Sequence, residues 1–459
     1  MNKHKKSRNV PFAVLTALTA AIFSTAANAT ELTAFALMPA NTFAEGPTSG
    51  QFAGAGQGGN ALPLVDKQPV QGISAVLHGP TANSFYVMPD NGFGAKTNSA
   101  DALLRVYALQ PDFKTWDGIG ISGSGTVSPV NFYSGRTLPT FDKNSFISLR
   151  DPNHEIGFDI VAGQVNYPNG ANNIPVDPRI KANRLLTGSD FDIESIRKDR
   201  KGHLWFGEEF GPFLVEADMS GKVLRSEIKT PNIVPPGSTA TGAEVRSPQN
   251  PYLGLDTPNL GSSRGFEGMA INPKGDKLYT LLEGTVTGDN DVNASINKNL
   301  RIDEFKIKTQ SYTGNNWLYP LDANGTNIGD MTAINDHQFL VLERNGATAT
   351  TVGGTPFKKI YLIDIQGVIN GGFVNKTELV DLMNIADPHD LNGDGNTTFT
   401  FPFVTIESVL PLNPTTLLVI NDNNYPGVGG RDSNSDNNEF IKIKLDSVLN
   451  LVNAQDDDH

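Results

Sequence analysis

The residues best suited to chemistry in this sequence are acids that stand at the same place in a repeated strand pattern. Five times, a short apolar strand is followed by a second strand that runs into a carboxylate. These terminal acids are Asp90, either Glu208 or Glu209, Glu283, Glu343 and Asp422. Repeats of this kind are typical of units arranged around an axis, where equivalent positions meet. We therefore expect the acids to converge at one end of the axis.

A second set of acids opens the first strand of three repeats, at Glu194, Glu267 and Glu407. Converging carboxylates repel one another, so they require bound cations, basic partners or raised pKa values. Oxygen ligands without cysteine favour Ca²⁺, or alternatively Mg²⁺, over Zn²⁺. The predicted metal ligands are Asp90, Glu194, Glu208, Glu209, Glu267, Glu407, Asp422 and Asn423. The alternative is that these Glu residues accept backbone N–H groups of a neighbouring unit and serve only as fastenings.

Arginines accompany the acids. Arg264 lies three residues before Glu267, and Arg344 follows Glu343 directly. A planar guanidinium group binds phosphate well. The predicted catalytic residues are Glu283 and Glu343, as metal ligands or base, with Arg264 and Arg344 as phosphate contacts. The alternative is that both arginines pair with the neighbouring carboxylates.

Two local motifs have weaker interpretations. Asp390–Gly395 matches the first half of an EF-hand calcium loop, but Phe401 stands where the bidentate Glu belongs. A calcium-bound loop and a plain turn both remain open. The Gly-x-Ser-x-Gly pattern at Gly261–Gly265 precedes a strand rather than the strand–turn–helix of serine hydrolases, so we interpret it as a loop.

The elements that must position these residues are strands. Alternating runs such as Leu103–Leu109 and Leu300–Ile307 have the period of two that strands require. The repeats predict an all-β chain that forms a single β-propeller of four-stranded blades. Five repeats are legible, and the long interval from Ile73 to Ile196 leaves room for another, so we expect six blades within a range of five to seven. The strand region Leu32–Phe43 is expected to close the last blade against Phe440–Leu445.

Composition excludes several classes. The 459 residues contain 36 Lys and Arg against 49 Asp and Glu, a formal charge of −13. Such a charge argues against nucleic acid as a partner. The chain contains no cysteine, so its stability must come from a hydrophobic core rather than from disulfides.

The N-terminus predicts export. Four basic residues precede an apolar stretch that ends at Ala27-Asn28-Ala29, the pattern of a secretory signal peptide over residues 1–29. The alternative, a membrane anchor, needs a longer apolar run. We expect a propeller domain over 30–452, a disordered acidic tail over 453–459, and no membrane-spanning segment after cleavage. The predicted location is the periplasm or the medium.

Five ordered motifs resemble a known family. They are GSDFDIESI (188–196), LWFGEEFGPFL (204–214), GFEGMAI (265–271), FPFVTIESV (401–409) and NDNNYPG (421–427). Together they are similar to the phytase-like family, named for the esterase-like activity of phytase. The resemblance implies an exported bacterial β-propeller that hydrolyses phosphate or ester substrates.

Two functions follow from these observations. The first is an exported hydrolase that uses a cation held by the acids to cleave a small phosphate or carboxylic ester. The second is a non-catalytic propeller, stabilised by a cation, that binds a ligand or a partner protein in the cell envelope or outside the cell.

Overall fold

The structure is a computed structural model, and it describes residues 1, 30–54, 61–168, 173–289, 298–427, 430–431 and 435–452. The predicted signal peptide and the predicted acidic tail lie outside these residues. No helix in the described part of the chain has the length and apolar character needed to cross a membrane.

Strands dominate the described chain, so the all-β prediction is confirmed. Those of the N-terminal third are β1 (Glu31–Met38), β2 (Phe43–Glu45), β3 (Lys67–Pro69), β4 (Ile73–His78), β5 (Phe85–Pro89), β6 (Arg105–Asp112), β7 (Thr115–Trp116), β8 (Ile121–Ser122), β9 (Thr126–Pro129) and β10 (Phe146–Ser148). A 3₁₀ turn (Val161–Gly163) and the helix α1 (Pro178–Asn183) follow. Asp177 caps α1 by accepting the Arg179 N–H at 2.8 Å.

The remaining chain repeats a four-strand pattern. Its strands are β11 (Ile193–Lys198), β12 (Leu204–Glu208), β13 (Phe213–Ala217), β14 (Ile228–Lys229), β15 (Gly268–Ile271), β16 (Lys277–Leu281), β17 (Asn299–Lys306), β18 (Ser311–Pro320), β19 (Asn327–Ala333), β20 (Gln338–Arg344), β21 (Lys358–Asp364), β22 (Asn375–Asp381), β23 (Ile385–Ala386), β24 (Thr398–Phe399), β25 (Thr405–Asn413), β26 (Thr416–Asp422) and β27 (Asn438–Lys444). The groups β11–β14, β15–β18 and β19–β22 are each a separate sheet with strands in chain order.

One larger sheet contains the two ends of the chain. Its main path is β25-β26-β27-β1-β9-β6-β5-β4, and its end strands β25 and β4 lie side by side, so the sheet is nearly closed. The predicted closure is present, because β1 pairs with β27 in antiparallel register from Glu31 opposite Lys444 to Met38 opposite Asn438. This pairing covers the edge that β27 would otherwise leave open.

Five inner strands surround a common axis. Strands β4, β11, β15, β19 and β25 contact one another in that cyclic order, and β25 returns to β4. Apolar clusters fill the space between neighbouring sheets; one of them packs Trp205 of β12 against Leu278 of β16 and Phe305 of β17. The described residues of the long interval 73–196 contain no further inner strand, and instead form β6–β10, the 3₁₀ turn and α1. The prediction of six blades is therefore not confirmed.

Candidate functional site

Four of the five inner strands contain a β-bulge at the same position, near the start of the strand. The ladder of each strand shifts register after its first residue or two, at Ser74 in β4, Glu194 in β11, Gly329 in β19 and Glu407 in β25. At the fifth inner strand, Glu267 immediately precedes the first paired residue of β15. A bulge bends its strand and re-aims a side chain. Glu194, Glu267 and Glu407 thus become neighbours although they belong to three different sheets.

The strand that pairs with each inner strand supplies another axial residue, at its end or just after it. These residues are Asp90, Glu209, Glu283, Arg344 and Asp422, which follow or end β5, β12, β16, β20 and β26. Together with Asp192, four of them and the three bulge-region glutamates form the axial carboxylates: Asp90, Asp192, Glu194, Glu209, Glu267, Glu283, Glu407 and Asp422. All are buried except Asp90, which is partly exposed. The predicted convergence of the acids is therefore present for these residues.

Arg344 is the counter-charge within this cluster. Its Nη2 atom donates to Glu407 Oε1 at 2.8 Å, to Glu267 Oε1 at 3.0 Å and to Glu283 Oε1 at 3.3 Å. Glu283 also accepts from Asn327 Nδ2 at 2.7 Å, and its second oxygen accepts from Arg264 Nη1 at 2.5 Å. These contacts agree with the alternative interpretation, in which both arginines pair with the neighbouring carboxylates. Arg264 remains 43% exposed, so it alone of the two can reach an incoming ligand.

Glu343 and Glu208 do not lie among the axial carboxylates, so the prediction that placed them there is wrong. Glu343 pairs with Ile328 and accepts from Tyr319, Lys376 and the Asp322 N–H, the last at 2.6 Å. Glu208 pairs with Ile193 and accepts the N–H groups of Phe210 and Gly211. Successive side chains on a strand point to opposite faces, so the axial position falls to the next residue in each case, Arg344 and Glu209.

Asn423 is also not placed as a metal ligand, because its amide group is bonded to other parts of the chain. Its Oδ1 accepts the Gly72 N–H at 3.0 Å, and its Nδ2 donates to Gln71 Oε1 at 2.7 Å and to Asp436 O at 2.8 Å. The amide oxygen therefore fastens β26 to the neighbouring chain entering β4. The carboxylate of Asp422 accepts from Asn424 N and Thr405 Oγ1, yet it remains close to Asp90.

Arg344 does not contact Asp192, Glu194 or Glu209, and among the described residues no basic side chain forms an ion pair with these three. The charges of Lys96 and Arg264 act on Asp192 and Glu209, respectively, from beyond ion-pair distance. Asp192, Glu194 and Glu209 each offer an oxygen within 4.8 Å of the other two. Asp192 Oδ1 and Glu209 Oε1 are buried and have no hydrogen-bond partner. Buried carboxylate oxygens are normally bonded, so this donor set fits a hard cation. The structure contains no ion.

Asp192 was not among the predicted site residues. It precedes the repeat unit that begins at Ile193, in which Glu194 is the first acid. The signal was available in the Asp-Ile-Glu sequence, because an alternating strand places residues 192 and 194 on the same face.

Burial and mutual repulsion raise the pKa values of the cluster. Burial raises the pKa of Asp192 to about 6, and burial together with Asp422 raises that of Glu407 to about 8. The pKa values of Asp90, Glu194, Glu209 and Glu267 also lie well above their ordinary range, with burial as the largest cause and neighbouring carboxylates next. The cluster therefore holds protons near neutral pH unless a cation replaces them.

A buried ion pair connects inner strands away from the axial carboxylates. Arg197 reaches from β11 to β19, where its Nη2 donates to Asp330 Oδ1 at 2.9 Å and to Met331 O at 2.6 Å. Asp330 also accepts the Val409 N–H from β25 at 3.0 Å. The ion pair thus links three inner strands.

Neither local motif forms a site of its own, although Arg264 of the Gly-x-Ser-x-Gly pattern belongs to the axial site. Asp390 Oδ1 accepts the Gly395 N–H at 3.0 Å and Asn392 donates to Asp394, so the loop Asp390–Gly395 closes on itself as an Asx-rich turn. Ser263 of the Gly-x-Ser-x-Gly pattern accepts from Gln249 Nε2 at 3.3 Å. This contact does not supply a catalytic base. A further group, Asp199, His203 and Glu216, already bonds Trp205 and Arg225.

Comparison with known proteins decides the family. The model of the phytase-like family, described as esterase-like activity of phytase, matches residues 68–425, which is more than half of the chain. The chain belongs to this phytase-like family. No curated protein matches it. The axial carboxylates from Asp90 to Asp422 all lie within the matched range.

Solved structures similar to this phytase-like chain are distant. The luciferin-regenerating enzyme has 11% identity and a TM-score of 0.33, over 94% of this chain and 98% of that one. The PQQ-bound aldose sugar dehydrogenase of Streptomyces coelicolor has 8% identity and a TM-score of 0.33, over 91% and 98%. The Swd1 β-propeller domain of Myceliophteria thermophila has 12% identity and a TM-score of 0.24, over 50% and 48%. Similarity at this level supports no functional transfer.

Proposed function

We propose that this phytase-like protein is an exported hydrolase of phosphate or carboxylic esters that works with a divalent cation, Ca²⁺ or alternatively Mg²⁺. The fold we propose for it is a propeller of five blades, with β1 completing the last. The observation that carries the functional proposal is the group Asp192, Glu194 and Glu209, whose buried oxygens are close together and partly without partners. Its substrate is a small molecule rather than a nucleic acid, which the acidic chain would repel.

The cation would be held by Asp192, Glu194 and Glu209. When bound there, it supplies a Lewis acid and lowers the pKa of a water molecule. These three carboxylates are buried and come from one sheet, so they are held in place without the ligand. A preorganised site of this kind avoids the cost of rearrangement during the reaction.

Other axial residues orient the ester and donate a proton to the departing alcohol. Arg264 is exposed enough to contact the anionic or carbonyl oxygen, while Glu283 and Arg344 fix its position. Hydrolysis forms a bond from a water oxygen to phosphorus or the acyl carbon and breaks the bond to the alcohol, which leaves with the electron pair. Asp90 is partly exposed, and burial raises the pKa of its carboxyl, so this carboxyl can donate a proton to the departing alcohol. The proton that the attacking water loses passes to solvent, and Asp90 regains one from there.

The test is turnover of a panel of phosphate and acyl esters by the purified full chain, with calcium, with magnesium and with chelator. We expect hydrolysis that requires the cation, and a loss of about 100-fold or more in Glu209→Gln, because this variant removes a ligand charge. Glu304→Gln is the matched control, since Glu304 is a buried carboxylate paired with Lys277 away from the axis. If no ester is cleaved, or if Glu209→Gln retains full activity, the proposal is wrong.

A second candidate is a non-catalytic, cation-stabilised propeller that binds a ligand or partner protein. The observation in its favour is Arg344, which neutralises Glu267, Glu283 and Glu407 internally. Such a network joins the β15–β16 hairpin, β20 and β25 whether or not a reaction occurs. Stabilisation of the protein by a cation, without turnover of any ester, would favour this candidate.

A further inference from the structure

Lys96 lies against both chain segments that carry the proposed cation ligands. Its backbone carbonyl accepts from Ser189 Oγ, three residues before Asp192. Its Nζ atom lies over the ring of Phe210, at 5.0 Å from the ring centroid, and Phe210 directly follows Glu209. The loop after β5 therefore brings an ammonium group next to the chain that holds Asp192 and Glu209.

The charge of Lys96 is not used in an ion pair. Among the described residues, no carboxylate lies within ion-pair distance of its Nζ atom, and the hydrogen bond that this atom makes there goes to Gln249 O at 3.1 Å. An ammonium group has three N–H donors, so two remain for a further acceptor. Lys96 is partly exposed, so an incoming ligand can reach it.

Lys96 also belongs to the electrostatic surroundings of the proposed cation site. Burial lowers the pKa of Lys96, and neighbouring carboxylates, Asp192 among them, act in the opposite direction. Such attraction falls off with distance, so the ammonium group is close to these acids. Arg264 acts in the same way on Glu209. Two positive side chains therefore accompany two different ligands of the proposed site.

One loop connects the two positive side chains. The carbonyl oxygen of Gln249 accepts from Lys96, and its Nε2 atom donates to Ser263 Oγ at 3.3 Å, next to Arg264. Arg264 shares its charge with Glu283, whereas Lys96 forms no ion pair with a described carboxylate. Lys96 is thus the positive group that is more available to a ligand.

A negatively charged reacting group matches this arrangement better than a neutral one. The oxygens of a phosphate group that the cation does not bind still carry negative charge, and ammonium and guanidinium groups form strong, charge-assisted hydrogen bonds with them. A carboxylic ester has one neutral carbonyl oxygen at its reacting centre, which the cation alone can polarise. The two further positive side chains are therefore matched by an anionic ester.

We propose that Lys96 is a specificity-determining residue of the axial site, which together with Arg264 binds the anionic oxygens of a substrate held at the proposed cation site. The site then selects esters whose reacting group is negatively charged over neutral acyl esters. The reaction in this statement rests on the proposed function, whereas binding of the anion does not.

The direct test is calorimetric binding of methylphosphonate, an anion that cannot be hydrolysed as an ester, to the full chain with calcium and in chelator. Lys96→Met removes the charge but keeps an unbranched side chain, and Lys96→Arg keeps the charge. Lys442→Met is the matched control, because Lys442 also lies over an aromatic ring, at 4.3 Å from the Phe113 centroid, and burial also lowers its pKa. Lys442 lies in β27, which is not an inner strand.

We expect methylphosphonate to bind more weakly to Lys96→Met by about tenfold or more, since a hydrogen bond between charged groups is lost. Lys96→Arg and Lys442→Met should bind it as the wild-type chain does. Calcium should bind to Lys96→Met as tightly as to the wild type or more tightly, because a positive charge near the cation is removed. A structural role alone would weaken the binding of both ligands.

Three results would overturn the inference: no binding of methylphosphonate by the wild-type chain, equal binding by Lys96→Met, or a parallel loss of calcium and phosphonate binding in that variant. If the wild-type chain binds no calcium, the series in chelator decides alone.

Turnover separates this inference from the proposed function. If methylphosphonate binding depends on Lys96 but neither phenyl phosphate nor phenyl acetate is cleaved, the assignment of Lys96 stands and the hydrolase proposal fails. If esters are cleaved, Lys96→Met should lower kcat/KM for phenyl phosphate by about tenfold more than for phenyl acetate. Equal losses for the two esters, or none, would leave the hydrolase proposal standing and refute the assignment of Lys96.

Discussion

At the scale of single residues, the charge balance of the axial site depends on Arg344. Its guanidinium group contacts carboxylates from the β15–β18 sheet and from β25, all of them buried. Removing one partner of a buried ionic network leaves uncompensated charge, which costs far more than losing an exposed pair. Arg264, which is 43% exposed and contacts Glu283 alone among these acids, provides the comparison.

We expect Arg344→Met to lower the free energy of unfolding by about 3–5 kcal/mol at pH 7 in chelator. Arg264→Met should lower it by about 1 kcal/mol or less, because water screens an exposed pair. Urea denaturation of the two variants measures both values. Equal effects of the two substitutions would show that the Arg344 contacts are not the main counter-charge of the cluster.

The raised pKa values predict an unusual dependence of stability on pH. Asp192 and Glu407 titrate in the folded protein at about 6 and about 8, above their ordinary values of 3.8 and 4.5. At pH values between the ordinary and the raised pKa values, the folded state binds more protons than the unfolded state. The free energy of unfolding therefore falls as pH rises from about 4 to about 8. A cation favours the ionised carboxylates and should reverse the loss.

In chelator we therefore expect a higher melting temperature at pH 5 than at pH 8. Calcium should raise the melting temperature at pH 8 by several degrees and have little effect at pH 5. Thermal denaturation across this range, with and without calcium, makes the measurement. A melting temperature in chelator that rises from pH 5 to pH 8 would contradict the described state of the carboxylates.

The sequence predicted most of the axial carboxylates. It did not predict which of two successive residues at a strand end faces the axis. Acids that end strands recur at equivalent places, and this is visible in Asp90, Glu283 and Asp422. Glu343 and Glu208 were expected beside them, yet each is one residue out of phase with the axial position. A shift of one residue moves a side chain to the opposite face of a strand, and the bulges that set the phase leave no distinct mark in the sequence.

At the scale of elements, the repeated bulge determines which side chains reach the axis. Gly329 occupies the bulge in β19, where Glu194 and Glu407 occupy it in β11 and β25. A Cβ atom at Gly329 would lie 2.0 Å from the carbonyl oxygen of Ile406. The absence of a side chain thus lets β19 and β25 approach closely, next to the strand end that delivers Arg344.

Gly329→Ala should consequently destabilise the protein by about 2 kcal/mol or more, since the added methyl group meets backbone that cannot move freely. Gly346→Ala is the control, because a Cβ atom there meets open space. Chemical denaturation of both variants provides the comparison. Wild-type stability in Gly329→Ala would mean that β19 and β25 are not packed as closely as described.

The strands themselves were predictable, because alternation of apolar and polar residues is a local property. The number of sheets was harder to predict. The interval from Ile73 to Ile196 is long enough for another four-stranded unit, yet its described residues form β6–β10, a 3₁₀ turn and α1. Sequence spacing alone does not separate an insertion from a degenerate repeat.

At the scale of the whole molecule, the N-terminal strand closes the fold. Strand β1 pairs with β27 from the C-terminal region and also meets β9 at Leu37 opposite Thr126. Closure of this kind joins sequence-distant segments and removes a sheet edge. The predicted pairing of the two ends was accessible from the sequence, since the last repeat lacked a fourth strand.

A chain that begins at Pro39 and lacks β1 should therefore lose cooperative unfolding or aggregate, because β27 becomes an open edge and the apolar cluster around Leu32 and Phe35 is exposed. A chain that begins at Thr30 keeps β1 and is the control. Circular dichroism melting and size-exclusion chromatography compare the two. Identical behaviour would show that β1 is not needed to close the molecule.

The central claim is that the axial carboxylates hold a divalent cation at Asp192, Glu194 and Glu209. The most direct measurement is a calcium-binding isotherm at pH 8 for the full chain and for the double variant Asp192→Asn, Glu209→Gln, with Glu304→Gln as control. We predict saturable binding that the double variant loses and the control keeps. Binding absent at millimolar calcium, or unchanged in a folded double variant, would contradict the claim.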